Sequence, residues 1–117
     1  MMNLPPKVLL KRFESPDETR EFPNGRLDLI HVGGITIART DYRPGWRWSS
    51  DVGAASGLGS CPAEHTLVVV SGAIVTKMDD GTEFELRAGD VSYIPPGHDA
   101  WVVGTEPYVS LQFLRPA

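Results

Sequence analysis

Apolar and polar residues alternate with a period of two along much of the chain, which is typical of strands that bury one face. The alternation is clearest at residues 83–88, where every second residue is apolar. The other predicted strands are residues 27–32, 35–40, 46–49, 65–70, 73–78, 91–94, 100–103 and 108–114. Strands at roughly ten-residue spacing, separated by turn residues, predict a β-sandwich or barrel.

The segments between these strands carry strong turn signals. Gly33-Gly34 and Asp79-Asp80-Gly81 fit tight hairpin turns, because their residues tolerate positive φ angles. Ser71-Gly72 predicts a third turn. Residues 65–70 are apolar at consecutive positions, which predicts a central strand buried on both faces. Residues 53–60 are small and unpatterned, and we interpret them as a loop that could lie over a pocket mouth.

The first 26 residues are less regular. Residues 8–10 are apolar and predict a short edge strand. The sequence Ser15-Pro16-Asp17-Glu18 fits a helix N-terminus, with proline at the first helical position, but it fits a surface turn equally well.

Length and composition narrow the class of protein. A chain of 117 residues predicts one domain over residues 1–117, with the core barrel at about 27–114. The net charge is -4 and the 11 Lys and Arg residues are scattered, so no nucleic-acid partner is expected. No apolar run is long enough to cross a bilayer, and the first residues do not resemble a signal peptide. With one cysteine and no internal disulfide, the chain is predicted to be cytoplasmic, without a membrane partner.

The candidate chemistry lies within residues 61–101. Gly89 is followed, after five residues, by Pro95-Pro96-Gly97, and His65 is followed, after six residues, by Gly72. Both spacings resemble the two sequence motifs of the cupin superfamily, which are small metal-binding barrels. The resemblance implies an all-β fold, the cupin double-stranded β-helix (jelly-roll barrel).

The ligand positions of those motifs are altered in this chain. His65 stands where the family has Glu, and Cys61 stands near the second His of the family's His-x-His. Gly59 lies near the first His of that pair, and Ala100 occupies the usual His of the second motif. A histidine occurs two residues earlier, at His98. The resemblance therefore implies a changed metal-ligand set, namely Cys61, His65 and His98.

Elementary geometry sets a condition on this site. On a straight strand Cys61 and His65 would lie about 13 Å apart, at about 3.3 Å per residue, so one ion could not bind both. The family layout places a turn there, and Pro62 suits a turn. Thiolate and imidazole together favour a divalent transition metal such as Zn²⁺, Fe²⁺ or Cu. Alternatively, Cys61 is a buried apolar residue, His65 a hydrogen-bonded core histidine and His98 a surface turn residue.

Five further residues are candidates for substrate binding. Trp46 and Trp48 would line an aromatic pocket, and Arg47 would hold a carboxylate. Tyr93 and Asp99 would transfer protons near the mouth. The alternative roles are core or dimer contacts for the indoles and a surface ion pair for Arg47.

Three functions are compatible with these residues. The first is a metal-dependent enzyme acting on a small organic molecule. The second is a non-catalytic module that binds or senses a small molecule. The third is an interaction protein whose barrel is filled by side chains. The resemblance also implies a homodimer, with residues 4–12 and the aromatic surface as the expected contacts.

Overall fold

A computed structural model describes residues 7–114. Nine strands make up most of it: β1 (Glu18–Phe22), β2 (Gly25–Val32), β3 (Ile35–Tyr42), β4 (His65–Ser71), β5 (Ala73–Met78), β6 (Glu83–Arg87), β7 (Val91–Ile94), β8 (His98–Val103) and β9 (Tyr108–Leu114). A π-helical turn, Ser49–Gly53, and a short helix α1, Ala54–Ser56, lie between β3 and β4. Neither helical segment of residues 7–114 is long and apolar enough to span a membrane.

The strands form two antiparallel sheets. One has six strands in the order β1-β2-β3-β9-β4-β7, and the other has three in the order β6-β5-β8. Consecutive strands often lie in different sheets, as in a jelly roll. Alternate residues of β4 and β9 point inward, and the hydrophobic core includes Leu67, Val69, Ile74 and Tyr108. The predicted all-β architecture is confirmed.

The predicted hairpin turns are also confirmed. Gly33 and Gly34 both adopt positive φ angles, 59° and 83°, in the turn between β2 and β3. Residue pairing on either side is regular from Val32↔Ile35 onward. β4 is central, as predicted, but only alternate residues of it are buried. Val70 is 52% exposed, so the prediction that both faces of this strand are buried was wrong.

The N-terminal part differs from its prediction. Residues 8–10 form no strand, and their side chains are exposed. No helix begins at Ser15: residues 13–14 form a turn with a bend at Ser15, which agrees with the surface-turn alternative, and β1 follows, which the sequence pattern had not indicated. Asp17 explains this path, because its carboxylate accepts hydrogen bonds from the His31 backbone N–H and from Lys11 Nζ. These contacts lower the pKa of Asp17, with the His31 N–H as the larger cause. Residues 4–6 of the predicted dimer contact lie outside the described residues.

The segment around Trp46 and Trp48 is not the predicted strand. Arg47 makes a single bridge to Trp101, and the chain then coils into the π-helical turn. Two carboxylates stabilise this conformation, since Asp99 accepts from the Ser49 N–H and Asp51 from the Arg47 N–H. Both indoles are nevertheless buried, and they therefore still face the core.

Candidate metal centre and its cavity

Cys61 is held against the first residue of β8. The Cys61 N–H donates to the His98 carbonyl at 2.7 Å, and the Gly97 N–H donates to the Cys61 carbonyl at 2.8 Å. Residues 62–64 then lead into β4, whose first residue is His65. The chain between Cys61 and His65 is therefore not a straight strand, which meets the geometric condition set by the sequence.

Three potential metal donors converge at this point. The Cys61 Sγ lies 3.8 Å from the His65 Nε2, and one ligand atom from each of Cys61, His65 and His98 lies within 4.8 Å of the other two. The two imidazole rings are 5.1 Å apart and meet edge to face. Cys61 and His98 are 5% and 3% exposed, whereas His65 is half-buried. The structure thus brings the three predicted ligands together.

Hydrogen bonds orient both imidazole rings. The His98 Nδ1 lies 2.9 Å from the Pro95 carbonyl oxygen, which can only accept, so this nitrogen carries the proton. The His65 Nδ1 lies 2.7 Å from the Gln112 Oε1, and it donates in the same way. In the neutral form of either ring, this hydrogen bond leaves Nε2 as the nitrogen with a free lone pair. A metal-binding histidine typically has its second ring nitrogen held by an acceptor in this manner.

Burial shifts the pKa of two residues in this cluster, Cys61 and His65. It raises the pKa of the Cys61 thiol, and this effect exceeds the opposing hydrogen bond with the Ala63 backbone. Burial also lowers the pKa of His65, although the Gln112 hydrogen bond acts in the opposite direction. The His65 ring is consequently neutral at pH 7, which is the form that binds metal ions.

The donor set fits a transition-metal ion. A tetrahedral ion with bonds of about 2.3 Å to sulfur and about 2.1 Å to nitrogen would separate those two atoms by roughly 3.6 Å. The observed separation of Sγ and Nε2 is 3.8 Å. One sulfur and two imidazole nitrogens suit Zn²⁺, Fe²⁺ or Cu better than Mg²⁺ or Ca²⁺.

The three donors form part of the wall of a cavity of about 320 Å³. Aromatic residues supply much of the remaining lining: Phe22, Tyr42, Trp46, Trp48 and Tyr108. Tyr42 and Trp46 stack with ring centroids 3.9 Å apart, and Tyr108 lies beside Tyr42 at 5.6 Å. Burial raises the pKa of both tyrosines, so their phenols stay neutral at pH 7. A cavity of this size counts against a barrel filled by its own side chains.

Comparison with known proteins supports the resemblance seen in the sequence. A family model described as the EutQ-like cupin domain matches residues 46–109, which is more than half of the chain. The chain belongs to this cupin family. No curated protein matches it.

Solved structures with the same fold agree. A protein of unknown function from Rhizobium leguminosarum is 18% identical, with a TM-score of 0.65, over 95% of this cupin and 99% of that protein. An uncharacterised Klebsiella pneumoniae protein with a double-stranded β-helix domain is 18% identical, with a TM-score of 0.63, over 98% of this chain and 92% of that one. The Bacillus subtilis oxalate decarboxylase, an enzyme with Mn(II) centres, is 23% identical to this chain, with a TM-score of 0.62. The match covers 89% of this cupin but 28% of the decarboxylase, and at these identities it establishes the fold alone.

The cupin places the predicted substrate residues in three locations. Trp46 and Trp48 line the cavity, as the prediction requires. Arg47 and Asp99 pair with each other at 3.3 Å, with the guanidinium over the Trp101 ring, and neither lines the cavity. Tyr93 lines a separate groove of about 550 Å³ that includes residues of β6 and β7. Its hydroxyl donates to Glu64 Oε2 at 2.7 Å.

Tyr42, Glu64, Tyr108 and Gln112 are among the cavity residues that sequence reasoning missed. Gln112 had a detectable signal, because it is a polar residue at an inward position of β9, in phase with the buried Tyr108 and Ser110. Tyr42 and Tyr108 lie at strand ends, opposite each other in the pairing of β3 with β9. That pairing joins residues far apart in the chain, so no local pattern indicates it.

Proposed function

We propose that this cupin binds a divalent transition-metal ion through Cys61, His65 and His98, and a small organic molecule in the adjoining cavity, where the molecule is chemically transformed. The observation that carries the proposal is the convergence of three donor atoms within 4.8 Å at the wall of a cavity of about 320 Å³. Three protein ligands leave a coordination position for a substrate, which is typical of catalytic sites. Lewis-acid activation of a substrate oxygen or of water is the chemistry that such an ion supplies.

The protein's own residues prepare this site. Gln112 and the Pro95 carbonyl hold the Nδ1 protons of His65 and His98, so that each Nε2 is available to a metal ion. Two backbone hydrogen bonds fix Cys61 beside His98. The aromatic side chains of the lining would disfavour water in that part of the cavity, which would strengthen electrostatic interactions within it.

The lining also defines the class of ligand. Among the described cavity residues, the charged side chains are Arg20 and Glu64, and both are exposed at the surface. A divalent ion bound to one thiolate keeps a single positive charge, which one anionic oxygen group would neutralise. A second carboxylate in the interior would have no partner and would be costly to bury. We therefore propose a ligand with one metal-binding oxygen group and an apolar, preferably aromatic, body.

Trp46, one of the residues that line the cavity, carries a further hydrogen-bond donor. The Trp46 indole N–H is buried and has no acceptor among the described residues. Since a buried donor without a partner is destabilising, a neutral oxygen on the ligand body would be favoured near this indole. This donor would not compensate the burial of a second full charge.

A titration of Co²⁺-loaded protein tests this proposal. Thiolate-to-Co²⁺ absorption should appear on loading, and benzoate should then change the Co²⁺ spectrum at saturable concentrations. Terephthalate, which adds a second carboxylate, should bind at least about 100-fold more weakly, because that charge would be buried without a partner. Acetate, which lacks the ring, should bind roughly 10-fold more weakly than benzoate. Equal binding of terephthalate and benzoate would contradict the ligand class, and lack of Co²⁺ binding would contradict the metal site.

Gln112 is proposed as a positioning residue for the metal. Gln112→Leu removes the acceptor for the His65 Nδ1 proton, and it should weaken Zn²⁺ binding by about 10- to 100-fold. Gln112→Glu retains an acceptor and should restore the affinity. Competition with a coloured chelator measures both dissociation constants, and thermal melting of the metal-free proteins checks that folding is intact. Equal weakening in both variants would contradict the role of Gln112 as the acceptor for the His65 Nδ1 proton.

The second candidate is a module that binds the same molecule without transforming it. It is favoured by the few proton-transfer groups available, since Glu64 is the one carboxylate among the described cavity residues and it already accepts a hydrogen bond from Tyr93. The two candidate functions can be distinguished by incubating small molecules with metal-loaded protein and analysing the bound molecules by mass spectrometry. A product that Glu64→Gln no longer forms, with binding retained, identifies an enzyme, whereas unchanged molecules favour the binding module.

A further inference from the structure

The groove that Tyr93 lines is distinct from the metal cavity. Its volume is about 550 Å³, and its walls come from β6, an outer strand of the three-stranded sheet, and β7, an outer strand of the six-stranded sheet. Thr76, Leu86 and Ile94 line both this groove and the metal cavity, so they form a wall common to the two spaces. The volume is within the range of small-molecule sites. We call this space the seam groove.

Much of the lining of the seam groove is apolar. Phe84 of β6 and Tyr93 of β7 contribute aromatic rings that are 53% and 52% exposed. Met78 and the Pro95-Pro96 pair add further apolar surface. Aromatic rings offer a large apolar area and favourable stacking geometry, so a ligand ring would be stabilised against them. The groove therefore favours a ligand with an apolar body that contains a ring.

The charged side chains of the seam groove are both acidic. Asp79 and Asp80 lie in the turn between β5 and β6 and line the groove, whereas no Lys, Arg or His does so among the described residues. Within residues 7–114, neither carboxylate forms an ion pair. The groove thus presents two carboxylates with no protein cation beside them, and it is electrostatically complementary to a cationic ligand.

Hydrogen bonds hold both carboxylates in place. Asp79 Oδ2 accepts from the Ser60 hydroxyl at 3.2 Å, and the Asp79 N–H donates to the Gly97 carbonyl at 2.9 Å. Asp80 Oδ1 accepts from the Thr82 N–H at 2.9 Å, and this bond lowers the pKa of the Asp80 carboxyl. Because a carboxylate can accept about four hydrogen bonds, both groups can still bind an ammonium group.

One small molecule can reach both the carboxylates and the aromatic ring of β6. The Asp80 carboxylate is bonded to the Thr82 backbone, and Phe84 follows two residues later. At about 3.3 Å per residue, this separation is about 7 Å along the strand. Residues two apart on an extended chain have side chains on the same face, and both Thr82 and Phe84 line the groove. A ring stacked on Phe84 and an ammonium group near Asp80 therefore fit one ligand with a short linker.

We propose that the seam groove binds an organic cation, namely a primary amine with an aromatic body. This molecule is opposite in charge to the anion proposed for the metal cavity, so the two sites select different ligands. None of the three potential metal ligands lines the seam groove. The site is therefore independent of the metal centre, and it can be tested in metal-free protein.

Titration of metal-free, ¹⁵N-labelled protein with tryptamine, followed by NMR, tests the proposal and locates the site. The backbone amide signals of Thr82, Phe84 and Tyr93 should shift saturably, whereas those of Tyr108 and Gln112 in the metal cavity should not. Tryptophol, in which a hydroxyl replaces the ammonium group, should bind about 5- to 20-fold more weakly at low salt, because exposed charge pairs contribute modestly. Added salt should reduce this difference.

Removal of the two carboxylates isolates the contribution of charge. D79N/D80N keeps oxygen acceptors for the Ser60 and Thr82 hydrogen bonds, so it should weaken tryptamine binding by the same factor of about 5 to 20 and leave tryptophol binding unchanged. E14Q/E106Q is the matched control, because it removes two negative charges from exposed residues that do not line the groove. This control should bind tryptamine as the wild type does.

Removal of the Phe84 ring isolates the apolar contribution. F84A should weaken the binding of tryptamine and of tryptophol alike, by about 3- to 10-fold, since both ligands carry the same ring. F113A is its control, because Phe113 is 43% exposed but lies on β9 and does not line the groove. Thermal melting checks that every variant is folded.

Four results would overturn the proposal. Tryptamine causes no saturable shifts, or it causes shifts in the metal cavity alone. The wild-type protein binds tryptamine and tryptophol equally, a comparison that needs no variant to fold. A folded D79N/D80N binds tryptamine as tightly as the wild type. E14Q/E106Q weakens tryptamine binding as much as D79N/D80N does, which would assign the effect to the overall charge of the protein.

Discussion

Replacing His98 with alanine should reduce the metal content of the purified protein from about one ion per chain to background. His98 would supply one of three donor atoms, and its ring is held in place by the Pro95 carbonyl. Two remaining donors bind an ion far more weakly than three that are already oriented. Cys61→Ser should have the same effect, because a neutral hydroxyl replaces a thiolate. Elemental analysis of tag-free protein measures both results.

His31→Ala is the matched control for this experiment. His31 is exposed, and its Nδ1 is hydrogen bonded to Thr36 Oγ1 on the neighbouring strand. This variant also loses one of the three histidines of the chain, but its metal content should equal that of the wild type. Retention of a full equivalent of metal by folded His98→Ala and Cys61→Ser would refute the three-ligand site. Loss of metal in His31→Ala would indicate adventitious binding by surface histidines.

Gly72→Ala should destabilise the protein by about 3–5 kcal/mol. Gly72 turns the chain from β4 to β5 with a φ of +75°, which costs an alanine about 1–2 kcal/mol. In addition, a Cβ at this position would lie 2.4 Å from the Pro107 carbonyl oxygen and 2.9 Å from the Tyr108 Cα. Backbone atoms cannot rotate away as a side chain can, so the start of β9 would have to move. Denaturant unfolding monitored by fluorescence measures the change.

Gly104→Ala separates the two contributions. Gly104 has a similar φ of +81°, but a Cβ there would have nothing within 4 Å. The expected loss is therefore only about 1–2 kcal/mol. If both substitutions reduced the free energy of unfolding by the same amount, the close contact with residues 107–108 would make no contribution. Because Tyr108 belongs to the aromatic wall, Gly72→Ala should also weaken benzoate binding in the Co²⁺-loaded protein.

The sequence pattern succeeded where local physical chemistry decides the outcome. The hairpin at Gly33-Gly34 follows from the tolerance of glycine for positive φ, and the strands β2, β3 and β5 to β9 follow from alternation or apolar runs bounded by turns. It failed at residues 46–49, where the Asp99 and Asp51 carboxylates accept backbone hydrogen bonds that stabilise a π-helical turn. Asp99 is distant in the sequence, so the residues of the segment do not reveal this partner.

For the candidate site residues too, residue type predicted some of the roles and the fold decided the others. Cys61, His65 and His98 were predicted from their places on the cupin motifs that the sequence resembles, and their side chains are among the few that bind transition metals. Arg47 and Asp99 have suitable chemistry, but they lie outside the cavity and pair with each other. Whether a polar side chain faces the cavity or the solvent depends on the course of the backbone, which residue type alone does not specify.

The amino-acid sequence by itself determined the all-β class and most strands and turns, because these depend on short-range periodicity and turn chemistry, and its resemblance to the cupin motifs indicated the three potential metal ligands. Only the tertiary structure decided that Cys61 Sγ lies 3.8 Å from His65 Nε2, that Gln112 orients His65, and that Tyr42 and Tyr108 share one wall. These features arise from pairing between distant strands, where the register sets which side chains meet and no local pattern encodes that register.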